Sequence, residues 1–123
     1  MSTSTAELLA TLRTLHKRRS RLLRPLLQDH ELAVGTVSVV NRKCGKPNCH
    51  CATGQGHPQT LFLFKEDGRR RCKLVRRADE HRLQTAGENH RRFRENLKLL
   101  RAIDREEKQI LMALMETRSI RYE

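Results

Sequence analysis

Cys44-Gly45-Lys46-Pro47-Asn48-Cys49-His50-Cys51-Ala52-Thr53-Gly54-Gln55-Gly56-His57 packs three of the chain's four cysteines into eight residues and ends on a histidine inside a glycine-rich loop. Thiolate and imidazole are the ligands that tetrahedral Zn²⁺ prefers, and Gly45, Pro47, Gly54 and Gly56 let a short backbone wrap around one ion. Cys44, Cys49 and Cys51 supply three ligands in this pattern. His57 is the preferred fourth, because the intervening Ala-Thr-Gly-Gln-Gly is flexible enough to return its ring to the ion. Two rivals stay open. His50 lies between two ligands, which points it away and leaves it to contact phosphate; Cys72 lies on a later strand and reads more simply as a small buried hydrophobe. A lone Cys-x-Cys without a thioredoxin-like setting does not make a redox enzyme.

Strand signals flank the cluster. Val37 and Val39 alternate with Thr36 and Ser38 in a segment that runs from Val34 into Cys44, as a half-buried strand would. After the cluster, Thr60-Leu61-Phe62-Leu63-Phe64 makes a second strand, Asp67-Gly68 supplies a favoured hairpin turn, and Arg70 to Arg76 makes a third. On that third strand Cys72 and Leu74 share one face, while Arg71, Lys73 and Val75 share the other and set a ribbon of cations along it.

Charge points the same way. The chain of 123 residues carries 26 Lys and Arg against 14 Asp and Glu, a net +12 with a pI near 10.6. Residues 34–77 hold ten basic and two acidic side chains, against six and three in residues 1–33 and ten and nine in residues 78–123. A positive field concentrated on a compact metal module is the footprint of a phosphate-backbone binder. The cations expected at that surface are Arg42, Lys43, Lys46, Arg69, Arg70, Arg71, Lys73, Arg76 and Arg77, extended by Arg91, Arg92 and Arg94. Base stacking is not expected, since Phe62 and Phe64 fall on one face of a strand that must also build the core.

Helical patterns occupy both ends. Ser4-Thr5-Ala6-Glu7 is a capping box, so a helix starts there. Leu8, Leu12, Leu15, Leu22 and Leu26 follow a heptad, with Leu9, Leu23 and Leu27 widening the stripe and Arg19 standing where an apolar residue is missing. Pro25 predicts a kink or break near Arg24, with the helix ending between His30 and Ala33. From about Ala78 to Arg118, Phe93, Leu97, Leu100, Ile103, Ile110, Leu111 and Leu114 form a second stripe, weakened by Gly87 and interrupted by Asp104 and Glu107. Arg19 is expected to meet Glu107 or Asp104 across a helical hairpin or a dimer.

These readings predict an α+β chain that is one domain overall: an N-terminal amphipathic helix in residues 1–33, a zinc-binding β module in residues 34–77 and a long helix in residues 78–123. The two helices form an antiparallel hairpin or coiled coil around a small three-stranded antiparallel sheet anchored by zinc. With one Tyr, three Phe and no Trp, the core is thin, and a homodimer is expected to bury the helical stripes. No apolar run approaches membrane-spanning length. The polar start, Met1 to Ala6, followed soon by Arg13, does not resemble a signal peptide, so the cytoplasm is the expected compartment and metal–thiolate chemistry is favoured over disulfides. An enzyme is not expected: no Asp or Glu occurs from Val34 to Phe64 to serve a catalytic zinc.

Cys44-Gly45-Lys46-Pro47-Asn48-Cys49-His50-Cys51-Ala52, Gly54-Gln55-Gly56-His57 and His90-Arg91-Arg92-Phe93-Arg94-Glu95 together resemble a family of small uncharacterised prokaryotic proteins. Its members share a Cys-Gly-Lys-x-x-Cys-x-Cys signature and an arginine-rich helix start, and are often encoded beside transposases on mobile elements. The resemblance spans roughly residues 36–100 and departs at Pro58-Gln59 and Leu74-Val75-Arg76, where the family tends to place Gly-Pro and Tyr-x-Pro. It implies an accessory to mobile DNA. The expected function is therefore a zinc-stabilised nucleic-acid-binding accessory or regulatory protein of a mobile element, with DNA ahead of RNA. Two alternatives stand beside it: an adaptor that docks its helices onto a transposase or other enzyme, and a structured-RNA-binding part of a ribonucleoprotein.

Overall fold

The computed structural model describes residues 4–123. Its elements are α1 (Thr5–Leu26), β1 (Thr36–Arg42), β2 (His57–Glu66), β3 (Arg69–Leu74) and α2 (Glu80–Thr117), with short 3₁₀ turns at His50–Ala52 and Arg77–Asp79. The chain is thus α+β, with two helices and one three-stranded antiparallel sheet in the order β1-β2-β3. It forms two compact units. One comprises His30–Arg92; the other comprises the residues up to Asp29 together with Phe93–Glu123.

In the sheet unit, β1 and β2 pair from Thr36 opposite Leu63 to Arg42 opposite His57, and β2 and β3 pair from Leu61 opposite Leu74 to Glu66 opposite Arg69. The hairpin between β2 and β3 turns on Asp67 and Gly68, at φ 53° and 77°, the left-handed pair that a two-residue turn needs to match strand twist. β2 is longer than the Thr60–Phe64 run suggests, because it extends back to pair with the end of β1. One face of the sheet receives α2: a Cβ added to Gly87 would stand 3.0 Å from Val37 Cγ2, so a helix with any side chain there would be held further off. Gly87, read from sequence as a weakness in the helix, is where the helix meets the sheet. Phe62 and Phe64 occupy the same face, their rings stacked at 4.9 Å, and Lys73 Nζ lies 5.8 Å from the Phe64 centroid.

That arrangement corrects the expectation for Cys72. The helix meets the sheet at Val37, on the face to which Arg71 and Lys73 also belong, so Cys72 and Leu74 point to the opposite side and are exposed, as the whole of β3 is. Alternation along β3 is as expected. The side that α2 meets is the other one.

α1 begins as its capping box predicts, Ser4 Oγ accepting from the Glu7 amide at 3.2 Å. It ends at Leu26, earlier than the expected His30 to Ala33. Pro25 lacks an amide hydrogen for the helix, and the chain beyond it is drawn onto α2 instead. There the Ala33 amide donates to the Ala86 carbonyl at 3.0 Å, Arg82 pairs with Glu31, and Asn89 Nδ2 donates to the Glu31 carbonyl. Ala33 and Ala86 are both buried.

In the helical unit Leu8, Leu15, Leu100, Ile103 and Leu114 are buried. The α2 seam runs through Phe93, Asn96, Leu100, Ile103, Glu107, Ile110 and Leu114, at alternating steps of three and four. Leu97 and Leu111 fall one position beyond it and are exposed, as are Leu9 on α1 and Leu27 just after it. Arg19 donates through Nε and Nη2 to Glu107 at 3.3 and 3.0 Å, and its Nη2 also donates to Asp104. The charged intruder in the first stripe therefore meets both intruders in the second, within one chain. These bonds favour the charged guanidinium, Asp104 first and Glu107 next, and raise its pKa further. Asn96 Nδ2 donates to the Leu22 carbonyl at 3.0 Å, a tie between the helices near the end of α1 that sequence gave no hint of. Among the described residues, no helix is long and apolar enough to cross a membrane.

Glu107 is 19% and Asp104 52% exposed in their side chains, so Glu107 is the partner shielded from water. Arg19→Glu is expected to cost about 1–3 kcal/mol in chemical denaturation, between the values for exposed and buried pairs. Glu107→Gln should cost more than Asp104→Asn. Equal, negligible losses would show that the triad contributes nothing to stability.

Candidate metal centre

The loop between β1 and β2 folds through two consecutive turns. The Cys49 amide donates to the Lys46 carbonyl at 3.2 Å, closing a β-turn with Pro47 at its second position, where a fixed φ is an asset. The Ala52 amide then donates to the Cys49 carbonyl at 3.0 Å, opening the 3₁₀ turn that carries Cys51 inward to 1% exposure. Cys44 stands just beyond β1 and His57 is the first residue of β2.

These turns bring four ligand atoms together. The sulfurs of Cys44, Cys49 and Cys51 and a ring nitrogen of His57 all lie within 4.8 Å of one another. Cys44 Sγ and Cys51 Sγ are 3.4 Å apart, and Cys49 Sγ is 3.1 Å from His57 Nε2. Around a tetrahedral ion with bonds of roughly 2.0–2.3 Å, ligand atoms stand roughly 3.3–3.8 Å apart, so this donor set fits such an ion. The four residues could hold a metal ion. The two rivals are placed elsewhere: His50 packs edge-on against the His57 ring at 5.4 Å, and Cys72 is exposed on β3, outside the group.

His57 reaches the cluster through a close approach at Gly56. A Cβ there would overlap the backbone carbonyl and amide of Arg42, whereas one at Gly54 would meet only the His50 carbonyl at 3.6 Å. Gly56 is thus the residue that lets β2 start against the end of β1, with Arg42 opposite His57.

The loop also prepares its sulfurs unequally. The Lys46 backbone amide, with help from the Cys51 thiol, holds the Cys44 thiol down to about 7. The Cys44 amide, 3.4 Å from Cys51 Sγ, pulls the Cys51 thiol down, but burial and the neighbouring Cys44 and Cys49 sulfurs outweigh it and push the thiol up. Cys44 is therefore readier than Cys51 to lose its proton to a metal.

The cations expected at a nucleic-acid surface are exposed throughout: Arg42, Lys43 and Lys46 beside the cluster, Arg69, Arg70, Arg71 and Lys73 on β3, and Arg76 and Arg77 after it. Arg91 and Arg92 close the sheet unit along α2, and Arg94 lies in the helical unit. None of them forms an ion pair with a described residue.

A family described as a domain of unknown function, DUF6788, matches residues 7–85. The chain belongs to that family. The DUF6788 match takes in nearly all of α1, the whole sheet with its metal loop, and the first residues of α2. No curated protein and no solved structure matches the chain.

Two outcomes check the centre. Gly56→Ala is expected to weaken metal binding about 10- to 100-fold, as changes that misplace a ligand do, while Gly54→Ala leaves it nearly unchanged. Competition for Zn²⁺ against a chromogenic chelator measures both. Ligand thiols bind as thiolates, so protons compete with the metal. Affinity should fall as pH drops from 8 to 6 through the Cys44 value of about 7. A flat profile over that range would count against metal binding through these thiolates.

Proposed function

We propose that the chain is a zinc-stabilised nucleic-acid-binding protein, non-enzymatic, which serves a mobile element as an accessory or regulatory factor. The observation that carries this reading is the company of the metal loop. Residues 34–77 hold ten basic and two acidic side chains, and Arg42, Lys43 and Lys46 stand exposed and without ion pairs immediately beside the cluster. A loop fixed by a metal presents such cations without the entropy of ordering them on binding, and phosphate is the partner that rewards it.

Zinc is the ion favoured by three thiolates and an imidazole, and four protein ligands make a closed structural site, with no open position for catalysis. In this reading the ion anchors the sheet. The chemistry it supplies is charge neutralisation of the thiolates and a rigid crosslink; the cations do the binding. The partners Leu22 with Asn96, Arg19 with Asp104, and His16 with Glu107 run in opposite directions along α1 and α2, which supports an antiparallel helical hairpin.

A second reading has its own support. Leu111, Met112 and Met115 are 56%, 62% and 65% exposed near the end of α2. A surface of this kind suits a homodimer or an adaptor helix that docks on a transposase or another enzyme.

Salt separates the two. With six to ten phosphate contacts, affinity for duplex DNA, single-stranded DNA or structured RNA should fall roughly 10³- to 10⁵-fold between 50 and 200 mM salt, and Cys49→Ser with Cys51→Ser should abolish it. Failure to bind any of the three polymers at low salt with zinc present would overturn the nucleic-acid reading and leave the adaptor.

A further inference from the structure

The strand register assigns every side chain of the sheet to one of two faces. The face that meets α2 carries Val37, Thr60, Phe62 and Phe64, and there Thr60 is 2% exposed. On the opposite face, Leu61 stands directly across from Leu74, and Leu63 across from Cys72. Leu63 and Leu74 are 42% and 59% exposed, Cys72 is exposed, and none of the strand residues on this side is buried. An antiparallel sheet normally turns polar side chains to water on its open face; here Thr36 and Ser38 do so on β1 and Gln59 on β2, but the middle of β2 and the end of β3 present Leu61, Leu63 and Leu74.

The ends of this face are cationic. Lys65 and Arg70 face each other at the hairpin end, and Arg42 lies across from His57 at the metal end. No acid points this way: the one carboxylate within the strands, Glu66, projects to the other face opposite Arg69. The surface is therefore an apolar strip bounded by positive charge at both ends.

That pattern chooses among occupants. A second copy stacked with its strands aligned would set cations against cations at either end, whichever way round it lay. Nucleic acid would satisfy the cations, but leucine offers bases neither an aromatic platform nor hydrogen bonds. An amphipathic helix with an apolar stripe and carboxylates toward its ends satisfies both parts. From His57 to Lys65, β2 spans about 26 Å, and a helix of roughly 18 residues is about 27 Å long. We propose that the open face of the sheet, centred on Leu61, Leu63 and Leu74, docks an acidic amphipathic helix of a partner protein along β2, its carboxylates reaching Lys65 and Arg70 at one end and Arg42 at the other.

The test uses the zinc-loaded full chain and a fluorescent 18-residue peptide with leucine on one helical face and glutamate elsewhere. Saturable binding is expected, with amide shifts concentrated at Leu61, Leu63, Cys72 and Leu74 and slower alkylation of Cys72. A version with lysine for glutamate should not bind. Leu63→Ser with Leu74→Ser, and separately Lys65→Glu with Arg70→Glu, should each weaken binding at least about tenfold while the zinc content stays at one per chain. The shift map and Cys72 protection on the unmodified chain decide the matter even if a variant fails to fold. Lack of saturable binding, shifts elsewhere, or binding that survives both double variants would overturn the proposal. So would concentration-dependent dimerisation abolished by the leucine pair, which would give the face to a second copy, or duplex DNA shifting the same residues, which would give it to nucleic acid.

Discussion

The backbone of Gly56 lies against the backbone of Arg42, and most of the sheet unit depends on that approach. It starts β2 beside the end of β1, sets the register in which Arg42 faces His57, and delivers the His57 ring to the three sulfurs. A three-stranded sheet with few aromatics buries too little to hold such a loop unaided. Structural zinc binding is worth roughly 10–16 kcal/mol in small domains, an order of magnitude more than any single side chain here can contribute. A ligand set held at the loop end of the β1–β2 hairpin therefore couples the register of the strands to the integrity of the site.

The helical unit is held by different means. Buried leucines and Ile103 supply its apolar contacts, while Arg19, Asp104 and Glu107 place a charged triad in the same seam. Such a triad contributes little net stability once desolvation is counted, yet any slip of one helix against the other by a turn would strand Glu107 in a half-buried position without its partner. It restricts register more than it adds stability. Asn96 acts in the same way at the other end, where its amide marks the carbonyl of Leu22.

Much of this could be read from residue order. The thiols and His57 gather because ligand spacing is a local property, and Asp67-Gly68 turns because only a left-handed pair closes so short a hairpin. Arg19, Asp104 and Glu107 were legible as mutual partners since each breaks an otherwise apolar stripe. What escaped depends on tertiary choice. Alternation on β3 separates Cys72 and Leu74 from Arg71 and Lys73, but both sides mix apolar and basic groups, so the pattern alone does not say which one α2 meets. The deciding residue, Gly87, carries no side chain and so no hydropathy signal. The end of α1 was misplaced for a similar reason: residues 28–33 carry a helical pattern, yet Ala33 and Glu31 are claimed by hydrogen bonds to α2 that no local propensity encodes.

The connectivity also imposes an order of assembly. Every strand pairing joins neighbours in the chain, so the meander needs only short loops to close and can form while synthesis continues. α1 is made before its polar partners, Asn96, Asp104 and Glu107, which follow the whole of the sheet unit. Closing that long a span in an unfolded chain costs entropy that a folded meander largely removes by bringing its two ends into a compact body. α1 thus finds its place only after α2 has been made. Until it does, its leucines are uncovered, and an apolar stripe stays exposed to other chains.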